Sequence, residues 1–457
     1  MTTPTSPGRA GHEPDSRATR PLGLWMCTAL VVGNIVGVGI FVLPASIAPY
    51  GLNALTGWLI TAVGCGFLAI AFAGLARAFP QDDGPYDYTR RAFGDGTAFA
   101  VMWCYWVSVW VSNATIAVGV VAYLTVFTPG LNGHPWLPPV VALSMLWLFV
   151  LLNLLGARAV GWVQVLTTVL KLLPLVGAIC LGLWVLWRNP GAYREHIPPN
   201  PLSIGDVSAV STLALYAMLG IECAMIPACR VYEPQKTIPR ATFIGTVLTA
   251  VIFICVSTVP MLLIPQNLLA ASNAPFADLF AQAFGARSGQ LVALFVIISG
   301  LGALNGWTLM VGDVTQGLAR HGHFPRFLAR ENRNGAPTAA LWVTGLIASV
   351  MLLSNYSESI GSLFTFFIVV VTAACLPLYV VCSLAVIVLG RRGEKAFSGR
   401  ARLAWVIVGT CGAAYCGWVS IGVGLRPLLW TVGLGAACAP IYWTSVHFRR
   451  RAPALPS

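Results

Sequence analysis

Charged side chains are scarce in this chain: Asp, Glu, Lys and Arg together make up 9% of its 457 residues, against about 25% in soluble domains. Hydrophobic residues make up 57%. A chain with so few charges has too little polar surface to cover itself in water. The composition therefore excludes an ordinary soluble domain and predicts a protein that lies in lipid.

Motifs of common enzyme and metal sites are also missing. The sequence contains no HExxH, no GxSxG and no Walker loop, and its twelve cysteines show no CxxC spacing. The segment GNIVGVG approaches a Gly-rich dinucleotide loop, but no strand precedes it. We therefore predict that the protein is not an enzyme, and we assign it no cofactor, metal or disulfide.

The chain instead contains a series of apolar segments, most of which reach the roughly 20 residues that a helix needs to span a bilayer. We predict an all-α integral membrane protein with twelve transmembrane helices, preceded by a disordered tail at residues 1–20 that is rich in Pro, Gly, Ser and Arg. The segments are 22–50, 53–76, 97–128, 138–157, 162–187, 203–231, 241–264, 288–317, 338–353, 359–389, 403–423 and 426–446.

The positions of Lys and Arg predict the orientation in the membrane. Of the 27 basic residues, most fall in the tails and loops that lie on one side when the N-terminus is cytoplasmic, as the positive-inside rule requires. The opposite loops keep Arg188, Arg194, Arg287 and Arg426. We therefore predict two cytoplasmic termini and a location in the cytoplasmic (inner) membrane. The net charge of +12 then needs no nucleic acid as a partner.

Three ionisable residues fall inside the apolar segments. A charged side chain inside a membrane costs free energy, and such residues usually mark function. They are Lys171, Glu222 and Asp313. The alternative for each is an ion pair or hydrogen bond that only fixes helix packing. For Asp313 a position near the cytoplasmic mouth is also open.

Two apolar segments are weakened at their centres. Gly33, Gly37 and Gly39 crowd the first, although a Gly inside a helix costs about 1 kcal/mol relative to Ala. The sixth has a similar weak point at MLGIEC, residues 218–223. Interrupted helices at matching positions of two halves are the sequence signature of a central transporter site.

Freed backbone groups at such breaks suit a ligand with both an anionic and a cationic end. N–H groups of Gly37, Gly39 and Ile40 are placed to bind a carboxylate, and carbonyls near Leu219 to bind an ammonium. An amino acid offers both groups. Trp307 and Tyr216 offer ring faces for its side chain, with ordinary core packing as the alternative.

Several further motifs appear in a fixed order after the glycine break GNIVGVGIFVLPA. They are YWVSVWVSNATIA, LYAMLGIECA, EPQKTIPRAT, APFADLFAQAFG and LGALNGWTLMVGD. In this series the chain resembles the amino acid/polyamine/organocation transporter superfamily, most closely its arginine/agmatine and putrescine/ornithine antiporter branch. The resemblance implies a five-plus-five inverted repeat with broken helices 1 and 6, often in a homodimer. The repeats would be residues 21–190 and 191–390, followed by two extra helices and the C-terminus in 391–457.

The resemblance also implies roles for individual residues. It assigns the main-chain end of the substrate to Asn34, Gly37, Val38, Gly39 and Ile40; its side chain to Asn113, Ile116 and Trp307; a lid to Tyr216; a gate to Tyr105; and proton sensitivity to Glu222. Val38 replaces the usual Ser, and Tyr216 stands where the arginine/agmatine antiporter has Trp. Both departures leave room for a decarboxylated amine or an amino acid other than arginine.

Lys171 is a third departure. TTVLKLLPL resembles the fifth helix of proton-coupled permeases in the same superfamily, in which a Lys amine replaces a bound sodium ion. We therefore expect a sodium-independent secondary transporter that exchanges amino acids or related amines by alternating access. A proton-coupled symporter that uses Lys171 and, more distantly, a transporter-like amino acid sensor are the alternatives. A channel is disfavoured because aromatic residues would block a continuous polar path.

Overall fold

The described part of the chain is helical. The computed structural model describes residues 23–79, 84–134, 136–155, 157–192, 196, 201–222, 233–354 and 359–451, and no β-strand occurs within these ranges. The predicted tail at 1–20 lies outside them. The helices are α1 (Leu24–Ile35), α2 (Gly39–Ile47), α3 (Asn53–Ala78), α4 (Pro85–Phe93), α5 (Asp95–Leu124), α6 (Leu137–Asn153), α7 (Ala157–Arg188), α8 (Ile204–Ala217), α9 (Pro234–Thr258), α10 (Pro260–Leu263), α11 (Gln266–Ala271), α12 (Pro275–Phe284), α13 (Ala286–Arg320), α14 (Thr338–Ser354), α15 (Ile360–Arg391), α16 (Arg402–Val423) and α17 (Leu425–Arg451).

The first apolar segment is broken where its glycines predict. Helix α1 ends at Ile35, and Val36 adopts an extended conformation with φ −71° and ψ 100°. The chain bends through Gly37 and Val38 before α2 starts at Gly39. One membrane segment is therefore divided into two short helices, which leaves the backbone between them without its usual helical partners.

The sixth segment is broken as well. Helix α8 ends at Ala217, and a turn follows through Gly220, whose φ is +109°. A residue with a side chain rarely adopts this left-handed conformation, so the glycine permits the sharp exit from the helix. Residues 223–232, including Pro227, lie outside the described part of the chain.

Helix α5 is the centre of the packing. It contacts α4, α6, α13, α14, α15 and α17, and most of its residues are buried. Around this group α3 packs against α8 and α9, α1 packs against α9, and α7 packs against α13. The two broken segments therefore lie within a bundle of long unbroken helices.

Among the described residues, seven helical spans are long and apolar enough to cross a membrane, and five apolar helices are shorter, including the pieces on either side of the first break. Over the described residues each predicted apolar segment coincides with a helix or with consecutive helical pieces. The protein is thus a multi-pass membrane protein. The count of twelve spans stays a prediction, because the short pieces reach across a bilayer only in combination.

Candidate functional site

A small internal cavity lies at the first break. Its volume is about 20 Å³, which is room for about one water molecule. The predicted substrate residues that line it are Gly37, Val38, Gly39, Ile40, Ile116, Tyr216, Leu219 and Trp307. These residues come from both breaks and from the two long helices α5 and α13, so the fold brings distant parts of the sequence to one place.

Of the two glycines at the break, Gly39 allows a neighbouring side chain to approach the backbone closely. A Cβ atom on Gly39 would lie 2.8 Å from Cε1 of Tyr216, whereas one on Gly37 would meet only the Cβ of Ala303, at an ordinary 3.5 Å. The Tyr216 ring is therefore packed directly on the first residue of α2. This contact needs glycine at position 39.

Val38 fills a notch between two long helices. A Cβ on Gly119 of α5 would lie 2.8 Å from Cγ1 of Val38, and a Cβ on Gly300 of α13 would lie 3.4 Å from its Cβ. Gly119 thus makes room for the apolar side chain of Val38, whereas Gly300 is only in ordinary contact with it and makes room for Val120 of α5. The valine that departs from the family pattern is held by packing and supplies no polar group.

The Lys171 side chain reaches under the break from α7. It is fully buried, and its Nζ donates hydrogen bonds to the carbonyls of Gly33 and Val36, the latter at 2.8 Å. In an unbroken helix these carbonyls would accept from the N–H groups four residues later. The amine therefore takes over two acceptors that the break sets free.

The Glu222 carboxylate is held by three donors just beyond the second break. Oε1 accepts from the Tyr105 hydroxyl at 2.8 Å, and Oε2 accepts from the Tyr379 hydroxyl at 2.7 Å and from the Gly220 N–H at 3.3 Å. Only 3% of the residue is exposed. An ionised carboxylate accepts hydrogen bonds and donates none, so three donors match the ionised form. We call Glu222, Tyr105 and Tyr379 the carboxylate clamp.

Sequence reasoning missed Tyr379. The residue lies within the long apolar helix α15, 157 positions from Glu222, and nothing adjacent to it marks a site. The available signal was a phenol hydroxyl in a fully apolar stretch, since a buried tyrosine hydroxyl normally finds a partner. Other cavity residues that we did not predict as substrate ligands are Ile35, Ser112 and Ala217.

The remaining predicted residues are placed differently. Asn113 is buried but does not line the cavity, and among the described residues its Oδ1 has no hydrogen-bond partner. The side chain of Asn34 lies outside what the structure describes. The side chain of Asp313, for which a position near the cytoplasmic mouth was also open, is exposed on a face of α13 that other helices cover only partly.

A second, much larger cavity of about 1010 Å³ lies at the other end of α2. Side chains from α2, α5, α14, α15 and the segment after α11 line it, and no predicted site residue is among them. At its wall the hydroxyl groups of Ser46 and Thr365 lie 3.0 Å apart and join α2 to α15. The two cavities are separate in this structure.

The chain was compared with known proteins. Residues 22–432 match the family model described as amino acid permease. The chain is 32% identical to the cadaverine/lysine antiporter of Escherichia coli K12, over 76% of this chain and 79% of the relative. It is 31% identical to a Bacillus subtilis protein provisionally named an arginine/ornithine antiporter (86% and 90% covered), and 29% identical to the putrescine transporter PotE of Escherichia coli K12 (80% and 83%).

Proposed function

Since this chain belongs to the amino acid permease family of the amino acid/polyamine/organocation superfamily, a family of membrane transporters, we propose that it exchanges amino acids or their decarboxylated amines without sodium. The observation that carries the proposal is the broken first segment, with a cavity on one side and the Lys171 amine on the other. The backbone is open at the point where a small polar ligand can reach it.

The two ends of an amino acid fit the two breaks. The N–H groups at the start of α2, from Gly37 to Ile40, have no intrahelical partners and carry the positive end of the helix dipole, which favours a carboxylate. Carbonyls near Leu219, at the end of α8, favour an ammonium. Trp307 supplies an aromatic ring and Ser112 a hydroxyl where the substrate side chain would lie.

The packing of Val38 bears on the type of substrate. Because its side chain fills the notch between Gly119 and Gly300, the α2 end of the cavity offers a carboxylate only backbone groups. A ligand without a carboxylate therefore loses little there. This favours a pair of substrates consisting of an amino acid and the amine left after its decarboxylation, as the name of the cadaverine/lysine antiporter states for that protein.

We further propose the architecture around this site. Twelve spans form two inverted repeats at 21–190 and 191–390, followed by two extra helices in 391–457. Both termini are cytoplasmic, so the large cavity at the end of α2 opens to the outside. The small cavity of about 20 Å³ is too small for an amino acid, so substrate binding requires α2 and α8 to move from α5 and α13. A homodimer fits the two helices outside the repeats.

A counterflow screen with the purified protein in vesicles tests the function. Vesicles loaded with unlabelled lysine, ornithine, arginine, cadaverine or putrescine should accumulate the labelled partner compound, and at least one amino acid and amine pair should exchange. Replacing sodium by potassium at fixed pH and potential should leave the rate unchanged, because Lys171 occupies the carbonyls that a cation would otherwise bind. Uptake that collapses without sodium contradicts the proposal.

Proton-coupled symport is the second candidate, and the buried amine of Lys171 favours it because a lysine amine can exchange a proton where a metal cation cannot. The two mechanisms differ in what they need on the far side of the membrane. An exchanger requires an internal substrate for uptake, whereas a symporter takes up substrate into empty vesicles when a proton gradient is applied. A sensor would bind the same compounds and transport none.

The contact between Gly39 and Tyr216 provides a test of the cavity. Gly39→Ala should weaken substrate binding about tenfold, because the new methyl group must push the Tyr216 ring from its position at a cost of about 1 to 3 kcal/mol. Gly417→Ala is the control, since a Cβ at this glycine of α16 would meet no atom within 4 Å and the residue does not line the cavity. Binding of the compounds found by counterflow is measured by titration. Equal affinities for both variants would remove Tyr216 from the site.

A further inference from the structure

A cluster of polar residues lies at the N-terminal end of α5, away from the proposed substrate site. The Tyr86 hydroxyl of α4 donates to Oδ1 of Asp95 at 2.6 Å and also lies 2.6 Å from Nε2 of His323, which follows α13. Nε2 of His323 is 3.6 Å from the same Oδ1. The His323 side chain is fully buried, whereas that of Asp95 is 34% exposed. We call these three residues the α4 latch.

The positions of the hydrogens follow from the number of donors. A tyrosine hydroxyl carries one hydrogen, and that of Tyr86 is directed at Asp95. The bond between Tyr86 and His323 must therefore be donated by an Nε2–H of the imidazole. The resulting chain runs from His323 through Tyr86 to the partly exposed carboxylate of Asp95, so a buried ring is connected to the solvent.

The α4 latch fixes helix α4 across the ends of α5, α13 and α15. We call α4 in this position the crossbar. Helix α4 is bound to α5 and the end of α13 through Tyr86, and to α15 through Thr89, whose Oγ1 is 3.9 Å from Sγ of Cys382. Cys382 lies one turn from Tyr379 of the carboxylate clamp. Asp95 lies ten residues, or about 15 Å of helix, from Tyr105. Helix α4 thus contacts α5 and α15, the two helices that carry Tyr105 and Tyr379 of the carboxylate clamp.

We propose that the α4 latch responds to pH. When His323 takes up a proton from the solution on the α4 side, the latch keeps α4 in place across the transport path. Histidine changes its charge in the range between about pH 5 and 8. The neutral ring keeps its hydrogen bond to Tyr86. The charged ring adds an attraction to Asp95 and to the rings of Phe99 and Tyr442, which stack on it at centroid distances of 4.4 and 5.8 Å.

Other charged and titratable groups surround the latch. The Tyr442 hydroxyl of α17 donates to Oδ2 of Asp95 at 3.5 Å, and His321 stacks on Tyr86 at 4.1 Å. Arg90 lies 5.9 Å over the Tyr86 ring and pairs with Asp87 at 2.9 Å. Arg90 is charged throughout the pH range concerned. His321 is a second histidine in contact with Tyr86, so the experiment must separate its effect from that of His323.

Cys382 is a natural reporter of the crossbar. Its thiol is buried against Thr89 of α4, so a displacement of α4 should expose it to a maleimide. The full-length protein is labelled with N-ethylmaleimide in detergent, and modification of Cys382 is quantified by peptide mass spectrometry. The buried Cys416 of α16 reports general unfolding. Comparing each variant with the wild type at the same pH cancels the effect of pH on thiol reactivity.

His323→Gln keeps an N–H donor and cannot be protonated. In this variant, Cys382 should be modified at the wild-type rate at about pH 7.5 and about threefold faster than in the wild type at about pH 5.5. This is the change expected for losing a partly buried ion pair. His323→Phe keeps the stacking and loses the N–H donor, so its Cys382 should be modified faster than in the wild type at both pH values. His321→Gln is the matched control and should match the wild type.

The proposal is overturned if the rate of Cys382 labelling in His323→Gln, relative to the wild type, is the same at both pH values. It is also overturned if His321→Gln shows the same pH-dependent change. Labelling requires no transport, so its outcome is independent of the counterflow screen. A missing transport activity would reject only the proposed function. A relative rate of Cys382 labelling that does not change with pH would reject only the latch. With exchange established, acidifying the solution on the α4 side should slow wild-type exchange more than that of His323→Gln.

Discussion

Lys171→Ala is expected to abolish or strongly reduce exchange. The substitution removes the donor to the carbonyls of Gly33 and Val36, both freed by the first break. A buried acceptor left without a partner costs about 1 to 3 kcal/mol, and each such loss lowers an equilibrium constant by about 5-fold to 150-fold. Because the same break forms the cavity wall, this cost falls on the substrate-binding conformation.

The experiment compares counterflow rates for three variants. Lys171→Arg keeps the positive charge but is bulkier and never deprotonated, so it should retain some binding without proton-linked turnover. Lys236→Ala is the matched control, because it removes a lysine whose side chain is 68% exposed and pairs with Glu233, the residue that precedes α9. Near-normal exchange by a correctly folded Lys171→Ala would show that the amine is a bystander.

Glu222→Gln is expected to flatten the pH dependence of exchange while leaving the protein folded in the membrane. The ionised carboxylate accepts from Tyr105, Tyr379 and Gly220. A protonated carboxyl must donate, which displaces one of these donors and loosens the clamp between α5, α15 and the end of α8. Acid should therefore favour opening in the wild type, and the amide, which does not titrate, should remove this response.

Rates are measured from about pH 5 to 8 with equal pH on both sides. Tyr379→Phe should weaken the clamp at neutral pH, because a hydrogen bond to a charged group contributes about 1.5 to 3 kcal/mol. Glu331→Gln is the control, since that carboxylate is 41% exposed and pairs with Arg320. A wild-type pH profile in Glu222→Gln would reject the proton-sensitive role. The acid response of the clamp is opposite in sign to that of the α4 latch.

The sequence by itself determined that the protein lies in a membrane, that it is helical and where its helices are broken. These properties depend on local composition: long apolar runs have one stable backbone form in lipid, and clustered glycines weaken a helix wherever they occur. The family follows from motifs that are likewise local. For the same reason the residues around the first break, from Gly37 to Ile40, could be predicted as cavity residues, and a lone Lys171 in an apolar segment already indicated function.

Only the tertiary structure decided which groups meet. Tyr379 joins Glu222 across 157 residues, Val38 enters a notch of two distant glycines, and Asn113 does not line the cavity while its neighbour Ser112 does. Asp313 lies on an exposed face that a hydropathy plot cannot separate from a packed one. In lipid the sides of a helix that face the bilayer and the core are both apolar. The pattern therefore fixes that a helix forms, and packing alone fixes what each side contacts.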